Sequence, residues 1–394
     1  MKKFLVSILI FGLILAGTIV VVLYGKGYRF GVDKGVPQLA GTGLFVATSK
    51  PDGAQVFING NLTTATNNTI NLTPGIYQVK IVKQGYFAWE KQVKIKKETV
   101  AKEEAFLIPT APKLESITDT GVLNPTIDPA KTRIAYIVAS SSAKDNGIFI
   151  LDINSRPILT LQGNSKQIAD DTVDKFSAAA ISWSPDGNQI LATVSARPTY
   201  LLSANDSNNS PRNVTEILFS VDADWQTQKL KKETSRLNGL KQQLRKVITD
   251  NFQIMEWAPD ESKILYTASA SATIPTIIKP ALIGTNSTRE ERNIIKDNLY
   301  VYDIKEDRNY KIDGKMPAID STSISWFPDS RHFIYVHDKR IDILEYDGLN
   351  ETTVYAGPFI GSYAFPWPDG SRIAMLTNLN NPNITPNLYT ISLR

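Results

Sequence analysis

Hydrophobic residues are distributed in three different ways along the chain. From Phe4 to Tyr24 there is an uninterrupted run of 21 residues without a charge. Between residues 44 and 107, short segments such as 77–82 alternate apolar and polar positions with a period of two, which is typical of half-buried strands. Beyond Pro109 the segments are apolar on both faces, as in Ile264-Leu265-Tyr266, which is typical of strands buried on both sides. The pattern therefore predicts one long helix followed by two all-β regions.

The first apolar run is long enough to cross a membrane. At about 1.5 Å per residue it spans a hydrocarbon core of about 30 Å, and Lys2 and Lys3 before it predict a cytoplasmic N-terminus. The alternative is a cleaved signal peptide, whose apolar region is shorter and ends at small residues. Because this run ends in bulky Val-Val-Val-Leu-Tyr, we expect an uncleaved single-pass anchor over residues 1–25, with a short cytoplasmic tail. The rest of the chain is then extracytoplasmic, and the glycine-rich residues 26–42 are predicted to form a linker.

Turn dipeptides divide the second region into short strands. Asn59-Gly60 is a strong hairpin signal, and Pro51-Asp52-Gly53-Ala54 and Pro74-Gly75 are typical turns. The predicted strands are residues 44–48, 55–58, 69–72, 77–82, 86–89 and 91–95.

Three motifs in this region together resemble the PEGA domain, a small β-sandwich of prokaryotic surface proteins. They are the tetrapeptide at Pro51, with Asp52 where the family has Glu, the hairpin from Val56 to Gly60, and the segment from Leu72 to Tyr86. The resemblance implies a β-sandwich over residues 43–110 that acts as an extracytoplasmic spacer or binding module without known chemistry.

One pattern recurs five times in the third region: an apolar strand, a turn with proline next to aspartate, and a second and third apolar strand. The turns contain Asp128-Pro129, Pro185-Asp186, Pro259-Asp260, Pro328-Asp329 and Pro368-Asp369. The predicted third strands are residues 148–152, 216–221, 299–303, 341–346 and 388–391. The first copy is the least regular, since it lacks tryptophan and places aspartate before proline.

The fullest copy, from Trp183 to Gly187, reads Trp-Ser-Pro-Asp-Gly, and the five copies resemble TolB-like, WD-type β-propeller repeats. The resemblance implies a β-propeller of five blades over residues 111–394, so the fold class is all-β with one transmembrane helix. A propeller closes its ring by pairing the two ends of the chain, and we therefore predict that residues 113–119 pair with residues 387–393.

Two segments are longer than the repeat needs. Residues 225–249 place five apolar residues on one helical stripe and are strongly basic, which predicts a helix over residues 226–247 that packs Leu237, Leu240 and Leu244 against protein. Its basic face is either simply solvated or a contact for an anionic partner or the membrane surface. Residues 270–293 form a second, polar insertion.

Composition limits the chemistry that the chain can perform. Lys and Arg number 43 against 39 for Asp and Glu, a net charge of +4, and a dedicated nucleic-acid binder is usually more basic, so no nucleic acid is expected as a partner. There is no cysteine, which excludes disulfides, thiolate metal sites and cysteine nucleophiles, and only His332 and His337 provide imidazole.

Individual polar clusters give weak indications of a site. Ser141 and Lys144 have Ser-x-x-Lys spacing, but we attribute it to chance. The pairs Asp222 with Asp224 and Asp303 with Asp307 are suited to Ca²⁺ or are solvated turn carboxylates, and we expect the latter because the dense oxygen-ligand loop is absent.

The two histidines and the repeat tryptophans are also candidate site residues. His332 and His337 lie five apart on one predicted strand and therefore on opposite faces, so a shared metal is not expected. Four tryptophans are predicted to recur at one repeat position, Trp183, Trp257, Trp326 and Trp367, and they either pack between blades, as we expect, or form a sugar-stacking platform. We therefore predict no catalytic, cofactor-binding or metal-binding residues and no cofactor.

The function that we expect from the sequence is binding. The chain is predicted to be a membrane-anchored extracytoplasmic scaffold whose propeller contacts an envelope protein or a cell-wall glycan. The alternatives are a glycosidase-like hydrolase, which requires Asp or Glu side chains converging at one mouth of the channel, and a membrane-tethered sensor or assembly factor.

Overall fold

The computed structural model describes residues 2–25, 28–33, 36–140, 142–154, 165–194, 198–280, 282, 284–312 and 323–394. Over these residues the chain is mostly antiparallel β-structure and divides into two compact units. Unit 1 consists of Met1–Ile108 and Ile278–Glu290, and unit 2 consists of Pro109–Ile277 and Glu291–Arg394.

Unit 1 begins with helix α1 (Lys2–Gly25), in which Val6–Gly25 is long and apolar enough to cross a membrane and has no buried residue. Membrane anchors and signal sequences both have these properties. The segment predicted as a linker contains a hairpin, since β1 (Tyr28–Asp33) pairs antiparallel with β2 (Val36–Gly41).

The rest of unit 1 is built from two sheets that share one core. The strands are β3 (Gly43–Lys50), β4 (Gln55–Ile58), β5 (Asn61–Ala65), β6 (Asn68–Leu72), β7 (Gly75–Val82), β8 (Trp89–Ile95) and β9 (Val100–Phe106). The sheet orders are β5-β4-β7-β8 and β6-β3-β9, and β3 and β9 are parallel. Buried side chains of both sheets, such as Phe45, Val56 and Val93, meet in a single cluster, the arrangement of a β-sandwich.

The turn chemistry of this sandwich follows the sequence prediction. Asn59 and Gly60 have φ values of +48° and +83° between β4 and β5, which is the two-residue hairpin turn that Asn-Gly favours. Of the predicted strand at residues 86–89, only Trp89 lies in a regular strand, and β5 and β9 were not predicted.

Gly284 and Ser287 lie at the edges of this sandwich. The backbone N–H of Lys94 in β8 donates to Ser287 Oγ at 2.9 Å. Gly284, with φ of +79°, approaches β9 so closely that a Cβ would lie 2.7 Å from the carbonyl oxygen of Val100. Because β8 and β9 are the last strands of their sheets, these two residues cover part of edges that would otherwise offer unpaired backbone groups.

Unit 2 contains most of the strands and two further helices. Its first half comprises β10 (Leu114–Ser116), β11 (Leu123–Ile127), β12 (Arg133–Val138), β13 (Gly147–Asp152), β14 (Ser165–Asp170), β15 (Ala179–Trp183), β16 (Gln189–Val194), β17 (Thr199–Ser203), β18 (Arg212–Asn213), α2 (Leu218–Asn238) and α3 (Gln242–Asn251). Its second half comprises β19 (Phe252–Trp257), β20 (Lys263–Ala268), β21 (Ala272–Thr273), β22 (Asn293–Ile294), β23 (Leu299–Asp303), β24 (Arg308–Lys311), β25 (Ile324–Trp326), β26 (His332–His337), β27 (Arg340–Glu345), β28 (Thr352–Ala356), β29 (Ala364–Pro366), β30 (Arg372–Thr377) and β31 (Asn387–Ser392). Short 3₁₀ helices lie at Phe176–Ala178 and Thr215–Ile217.

In the described part of unit 2 these strands form five four-stranded antiparallel sheets and the small pair β21-β22. Sheet 1 is β11-β12-β13-β14, sheet 2 is β15-β16-β17-β18, sheet 3 is β19-β20-β23-β24, sheet 4 is β25-β26-β27-β28 and sheet 5 is β29-β30-β31-β10. Sheet 5 therefore joins the two ends of the unit, with Leu114 opposite Ile391 and Ser116 opposite Tyr389. This confirms the predicted pairing of residues 113–119 with residues 387–393.

Neighbouring sheets share hydrophobic cores. One core joins sheets 1 and 2, a second joins sheets 1 and 5, and a third joins sheets 3 and 4. On β12, Ala135 and Ile137 pack toward sheet 2, while Ile134 and Tyr136 pack toward sheet 5, because successive side chains of a strand point to opposite faces. β26 of sheet 4 also contacts β29 of sheet 5.

Helices α2 and α3 cover the remaining faces of sheets 2 and 3. Trp225 of α2 packs with Leu191 of sheet 2, and Leu244 and Ile248 of α3 pack with Tyr266 of sheet 3. The elements of unit 2 therefore pack in the order sheet 5, sheet 1, sheet 2, the helix pair, sheet 3, sheet 4 and sheet 5 again.

The helical insertion differs from its prediction in one respect. Instead of one helix over residues 226–247, there are two, separated at Gly239, and Leu237, Leu240 and Leu244 pack against protein as predicted. The predicted third strand of the second repeat, residues 216–221, is wrong, because these residues lie in a 3₁₀ turn and in α2, and β17 is the third strand. A short apolar run does not distinguish helix from strand.

The five repeat turns share one geometry. In each, the residue before the proline donates its backbone N–H to the second strand and accepts a hydrogen bond from the residue three positions later, which has a positive φ. The residues with positive φ are Lys131, Gly187, Glu261, Ser330 and Gly370, at φ values from +56° to +74°. The irregular first copy is therefore structurally equivalent to the others.

Candidate functional site

Unit 2 contains a cavity of about 510 Å³. Most of its lining residues lie on or next to β11, β19, β25 and β29, the first strands of sheets 1, 3, 4 and 5. They include Thr126, Met255, Ser325 and Phe365, which come from different repeats. The cavity is thus formed by equivalent strands of four sheets.

A second cavity, of about 820 Å³, shares Lys131, Met255 and Glu256 with the first. It lies at the end of unit 2 where the repeat turns are found, and we call it the turn-end mouth. Its walls include four of the five turn prolines and three residues of α2: Pro129, Pro259, Pro328, Pro368, Lys232, Glu233 and Arg236. The helical insertion therefore contributes directly to this mouth.

Lys131 links three sheets at the junction of the two cavities. Its Nζ lies 2.5 Å from Glu256 Oε1 of sheet 3 and donates to the backbone oxygen of Trp326 of sheet 4 at 3.4 Å. Glu256 Oε2 in turn accepts the backbone N–H of Trp326 at 3.1 Å. Lys131 and Glu256 come from repeats that are far apart in the sequence, so this pair was not predicted. Each residue nevertheless lies in or next to a repeat motif.

Two of the three α2 residues in the mouth are also paired. Glu233 accepts the indole N–H of Trp257 at 3.0 Å, and Arg236 forms an ion pair with Glu261 at 2.8 Å and lies over the Trp257 ring. Among the described residues, Lys232 forms no ion pair. The mouth therefore has three basic and three acidic side chains, and each of its glutamates already has a partner.

The aspartates that recur in the turns have structural roles. Asp186, Asp260, Asp329 and Asp369 each accept the backbone N–H of the residue two positions later, at 2.8–3.0 Å. A hydrogen bond from Ser184 lowers the pKa of Asp186. Burial acts to raise the pKa of Asp260, but hydrogen bonds from Ser262 and Lys305 outweigh it and the pKa is lowered. With lowered pKa values, Asp186 and Asp260 are unsuited to donating a proton.

In the first repeat, Asp128 alone accepts the backbone hydrogen bonds that Ser184 and Asp186 accept in the second repeat. Its Oδ1 accepts the backbone N–H groups of Thr132 and Arg133, at 2.7 and 2.9 Å. The equivalent N–H groups in the second repeat donate to Asp186 and Ser184. The reversed order of aspartate and proline therefore preserves the hydrogen bonds of the turn.

For the other candidate residues, the structure confirms one expectation and contradicts another. Ser141 lies outside the described residues, and Asp222 and Asp224 are exposed on α2. The prediction of solvated carboxylates is wrong for Asp303 and Asp307, which are both 3% exposed. Asp303 lies 3.5 Å from Lys263 Nζ. Asp307 pairs with Arg292 at 3.3 Å and accepts from the Tyr302 hydroxyl at 2.6 Å, so both are neutralised within the fold.

The histidines do not share a site, as predicted. His332 Nδ1 lies 2.7 Å from Asp329, in the repeat turn, whereas His337 Nε2 lies 2.5 Å from Asp342 on the neighbouring strand. The second contact was not predicted from the sequence. Its indication was the spacing of five residues across Asp338-Lys339, which a tight hairpin brings together.

The repeat tryptophans pack inside unit 2, as predicted, and none is more than 9% exposed. Trp183 and Trp326 donate their indole N–H groups to backbone oxygens of the preceding or neighbouring sheet, at 3.2 and 3.3 Å. The prediction that all four share one position is wrong for Trp367, whose backbone N–H donates to Arg372 as that of Phe327 donates to His332. Buried rings of this kind offer no face for stacking a sugar.

Comparison with solved structures gives weak similarity to TolB proteins. A structure of putative TolB from Agrobacterium tumefaciens matches with a TM-score of 0.23 and 12% identity, covering 70% of this chain and 74% of that chain. TolB from Acinetobacter baumannii matches with a TM-score of 0.23 and 13% identity, covering 80% of this chain and 59% of that chain.

Comparison with sequences is informative for one segment. No curated protein matches the chain. The family model described as PEGA domain matches residues 42–108, the segment that forms the two-sheet sandwich of unit 1, and this part of the chain is similar to that family.

Proposed function

We propose that the five sheets of unit 2 are the blades of a β-propeller. Three features support this: neighbouring sheets pack face to face in a closed order, their first strands line a cavity, and β10 completes sheet 5 by pairing the two ends of the unit. In this arrangement the helix pair α2-α3 stands between the second and third blades.

The whole chain is proposed to be a membrane-anchored extracytoplasmic binding protein. Helix α1 provides a span of membrane length, and the PEGA-like sandwich follows it in the chain after the β1-β2 hairpin. In this topology Lys2 and Lys3 remain in the cytoplasm and the propeller presents its surface to a protein or glycan of the cell envelope.

The turn-end mouth carries this proposal. It is a concave site of about 820 Å³ built from rigid turns of four sheets and one helix, and its charges are balanced. Glu233, Glu256 and Glu261 are held by hydrogen bonds or ion pairs, whereas acid–base catalysis needs carboxylates with separately tuned pKa values facing one reacting bond. We therefore propose that the mouth binds and does not catalyse.

Site-specific photocrosslinking in the producing cells tests the proposal. A photoreactive phenylalanine analogue replaces Lys232 at the mouth or, as the control, the exposed Lys296 in the connection between β20 and β23, which leaves the opposite end of sheet 3. We expect an envelope adduct at Lys232 only. Digestion of the adduct by protease or by a glycan hydrolase then distinguishes a protein from a glycan partner.

Two results would count against this function. Equal labelling at the two positions, or none at the mouth, removes the mouth as the binding site. Saturable turnover of a glycoside or peptide by the full chain, abolished by Glu256→Gln or Glu233→Gln, would favour a hydrolase instead.

A further inference from the structure

The hairpin of β26 and β27 carries potential metal ligands at its tip. His337 lies opposite Arg340, and Tyr335 lies opposite Asp342, so His337 and Asp342 are diagonal neighbours on one face of sheet 4. Glu351 directly precedes β28, the next strand of the sheet. One ligand atom from each of His337, Asp342 and Glu351 lies within 4.8 Å of the other two.

The buried carboxylate of this group is incompletely satisfied. Asp342 is 2% exposed, and its Oδ2 lies 2.5 Å from His337 Nε2. Its other oxygen, Oδ1, is buried and accepts no hydrogen bond from any described residue. A buried carboxylate oxygen without a partner is costly, and such a group in a folded protein calls for an unseen ligand.

Acidic groups outnumber basic ones here, since Lys339 and Arg340 of the hairpin stand against Asp338, Asp342 and Glu351, and this balance favours a cation as that ligand. Asp338 and Glu351 add two further carboxylates, and among the described residues neither Lys nor Arg forms an ion pair with Asp342 or Glu351. The Tyr335 ring also stacks on His337 at 4.3 Å between centroids and so fixes the plane of the imidazole.

We propose that His337, Asp342 and Glu351 bind a divalent transition-metal ion, with Zn²⁺ as the representative. One imidazole nitrogen and two carboxylate oxygens form a ligand set of the kind that zinc accepts, whereas Ca²⁺ and Mg²⁺ prefer oxygen alone. Because Glu351 is exposed, the ion keeps room for water in its remaining position.

Binding requires only a small local change. Ligand atoms around a tetrahedral zinc ion are about 3.3 Å apart for bonds of about 2.0–2.1 Å, so His337 Nε2 and Asp342 Oδ2 must separate by somewhat less than 1 Å. The side chain of His337 is 18% exposed and has room to rotate. The ion then takes the place of the direct contact between the two groups and balances the charge of the buried carboxylate.

A bound ion would connect three consecutive strands of sheet 4. His337 ends β26, Asp342 belongs to β27, and Glu351 leads into β28. Metal binding to the folded chain therefore stabilises the outer part of this sheet, because the unfolded chain does not hold the three ligands together.

Zinc titration of the full chain in mild detergent tests the proposal. The protein carries no polyhistidine tag, is freed of metal by a chelator, and is titrated with ZnCl₂ by isothermal calorimetry. We expect one saturable zinc per chain, and affinity weakened by about tenfold or more in His337→Gln, Asp342→Asn and Glu351→Gln, since even the loss of a group that only supports a ligand has an effect of that size. His332→Gln is the matched control and should bind zinc as the unmodified chain does.

Nitrogen NMR of the imidazoles gives an independent measurement. The chain has two histidines, so histidine-selective labelling yields two imidazole signals, and zinc should shift that of His337 and leave that of His332 in place. Glu351→Gln guards against misfolding, because Glu351 is exposed and its replacement disturbs no core contact. Absence of saturable binding, or binding that His337→Gln leaves unchanged, would overturn the proposal and identify the contact as a histidine–aspartate pair without a metal.

Discussion

Single residues explain why repeats that differ in sequence form the same turn. Asp128 accepts two backbone N–H groups that Ser184 and Asp186 share between them in the second repeat. Similarly, the left-handed position two residues after the proline is glycine in two repeats but Lys131, Glu261 or Ser330 in the others. The geometry of the turn is therefore conserved among repeats more closely than its residues are.

We predict that Asp128→Ala destabilises unit 2 more than Asp186→Ala does. Asp128 is 1% exposed, and its loss removes the acceptor of the partly buried N–H groups of Thr132 and Arg133 and one partner of the Arg133 guanidinium, an expected cost of about 1–3 kcal/mol. Asp186 is exposed, water replaces it, and about 1 kcal/mol or less should be lost. Chemical denaturation of the full chain measures both, and equal losses would show that Asp128 has no special role.

At the scale of elements, the helix pair lies between sheets 2 and 3, whereas the other neighbouring sheets of unit 2 pack directly against each other. Trp183 and Trp326 donate to backbone oxygens of another sheet, but Trp257, at the equivalent position, donates to Glu233 of α2. The insertion thus supplies the hydrogen-bond acceptor as well as the apolar cover between sheets 2 and 3.

We predict that Leu244→Ala lowers the free energy of unfolding by about 2–5 kcal/mol, because Leu244 is 4% exposed and packs in the core of sheet 3. Leu230→Ala is the matched control. Leu230 is 66% exposed on α2, and its replacement should change stability by no more than about 0.5 kcal/mol. Similar effects of the two variants in thermal or chemical denaturation would mean that the helices do not pack as described.

Sequence patterns predicted the elements that depend on local signals. The repeated turns and four of the five third strands were found because proline, aspartate and apolar runs act over a few residues. The burial of Asp303 and Asp307 was not predicted, since it depends on Lys263 and Arg292 from other strands. The turn-end mouth was missed for the same reason, because only the packing of sheets brings Lys131 to Glu256.

At the scale of the whole molecule, the joining of the two ends of unit 2 is open to a covalent test. Ser116 and Tyr389 lie opposite each other between hydrogen-bonded positions of β10 and β31, where cysteine pairs are close enough to bond. We predict that Ser116→Cys with Tyr389→Cys oxidises to a disulfide and stabilises unit 2 by about 2–5 kcal/mol. Because the chain has no other cysteine, non-reducing peptide mapping identifies the bond without ambiguity.

Each single cysteine variant serves as the control for this experiment. If the double variant fails to crosslink in oxidising buffer, the two strands are not paired in solution.

We also predict that the N-terminal helix stays attached to the mature protein. Its apolar run ends in bulky residues, which are poor substrates for signal cleavage. Intact-mass and N-terminal peptide analysis of the membrane fraction should recover residues 1–25. A mature N-terminus between Ala16 and Gly27 would identify a cleaved signal peptide.

A substitution in the segment 278–290, far along the chain from the sandwich, is expected to destabilise unit 1. Gly284→Ala places a Cβ at 2.7 Å from the carbonyl oxygen of Val100 at a positive φ, which should cost more than about 1 kcal/mol. Hydrogen exchange measured by mass spectrometry should then rise in β8 and β9 but not in the five sheets of unit 2. Gly239→Ala, at a negative φ with no atom closer than 3.4 Å, is the control and should change neither.

Because this segment is distant in sequence from the sandwich, the edges that it contacts are covered only late in translation. Residues 42–108 leave the ribosome long before residues 284–287 are translated, so the nascent sandwich has β8 and β9 uncovered while most of unit 2 is still being made. An uncovered edge strand is a template for pairing with other chains. The protein is therefore expected to be most prone to aggregation during translation of residues 109–277, and a chaperone would be needed most in that interval.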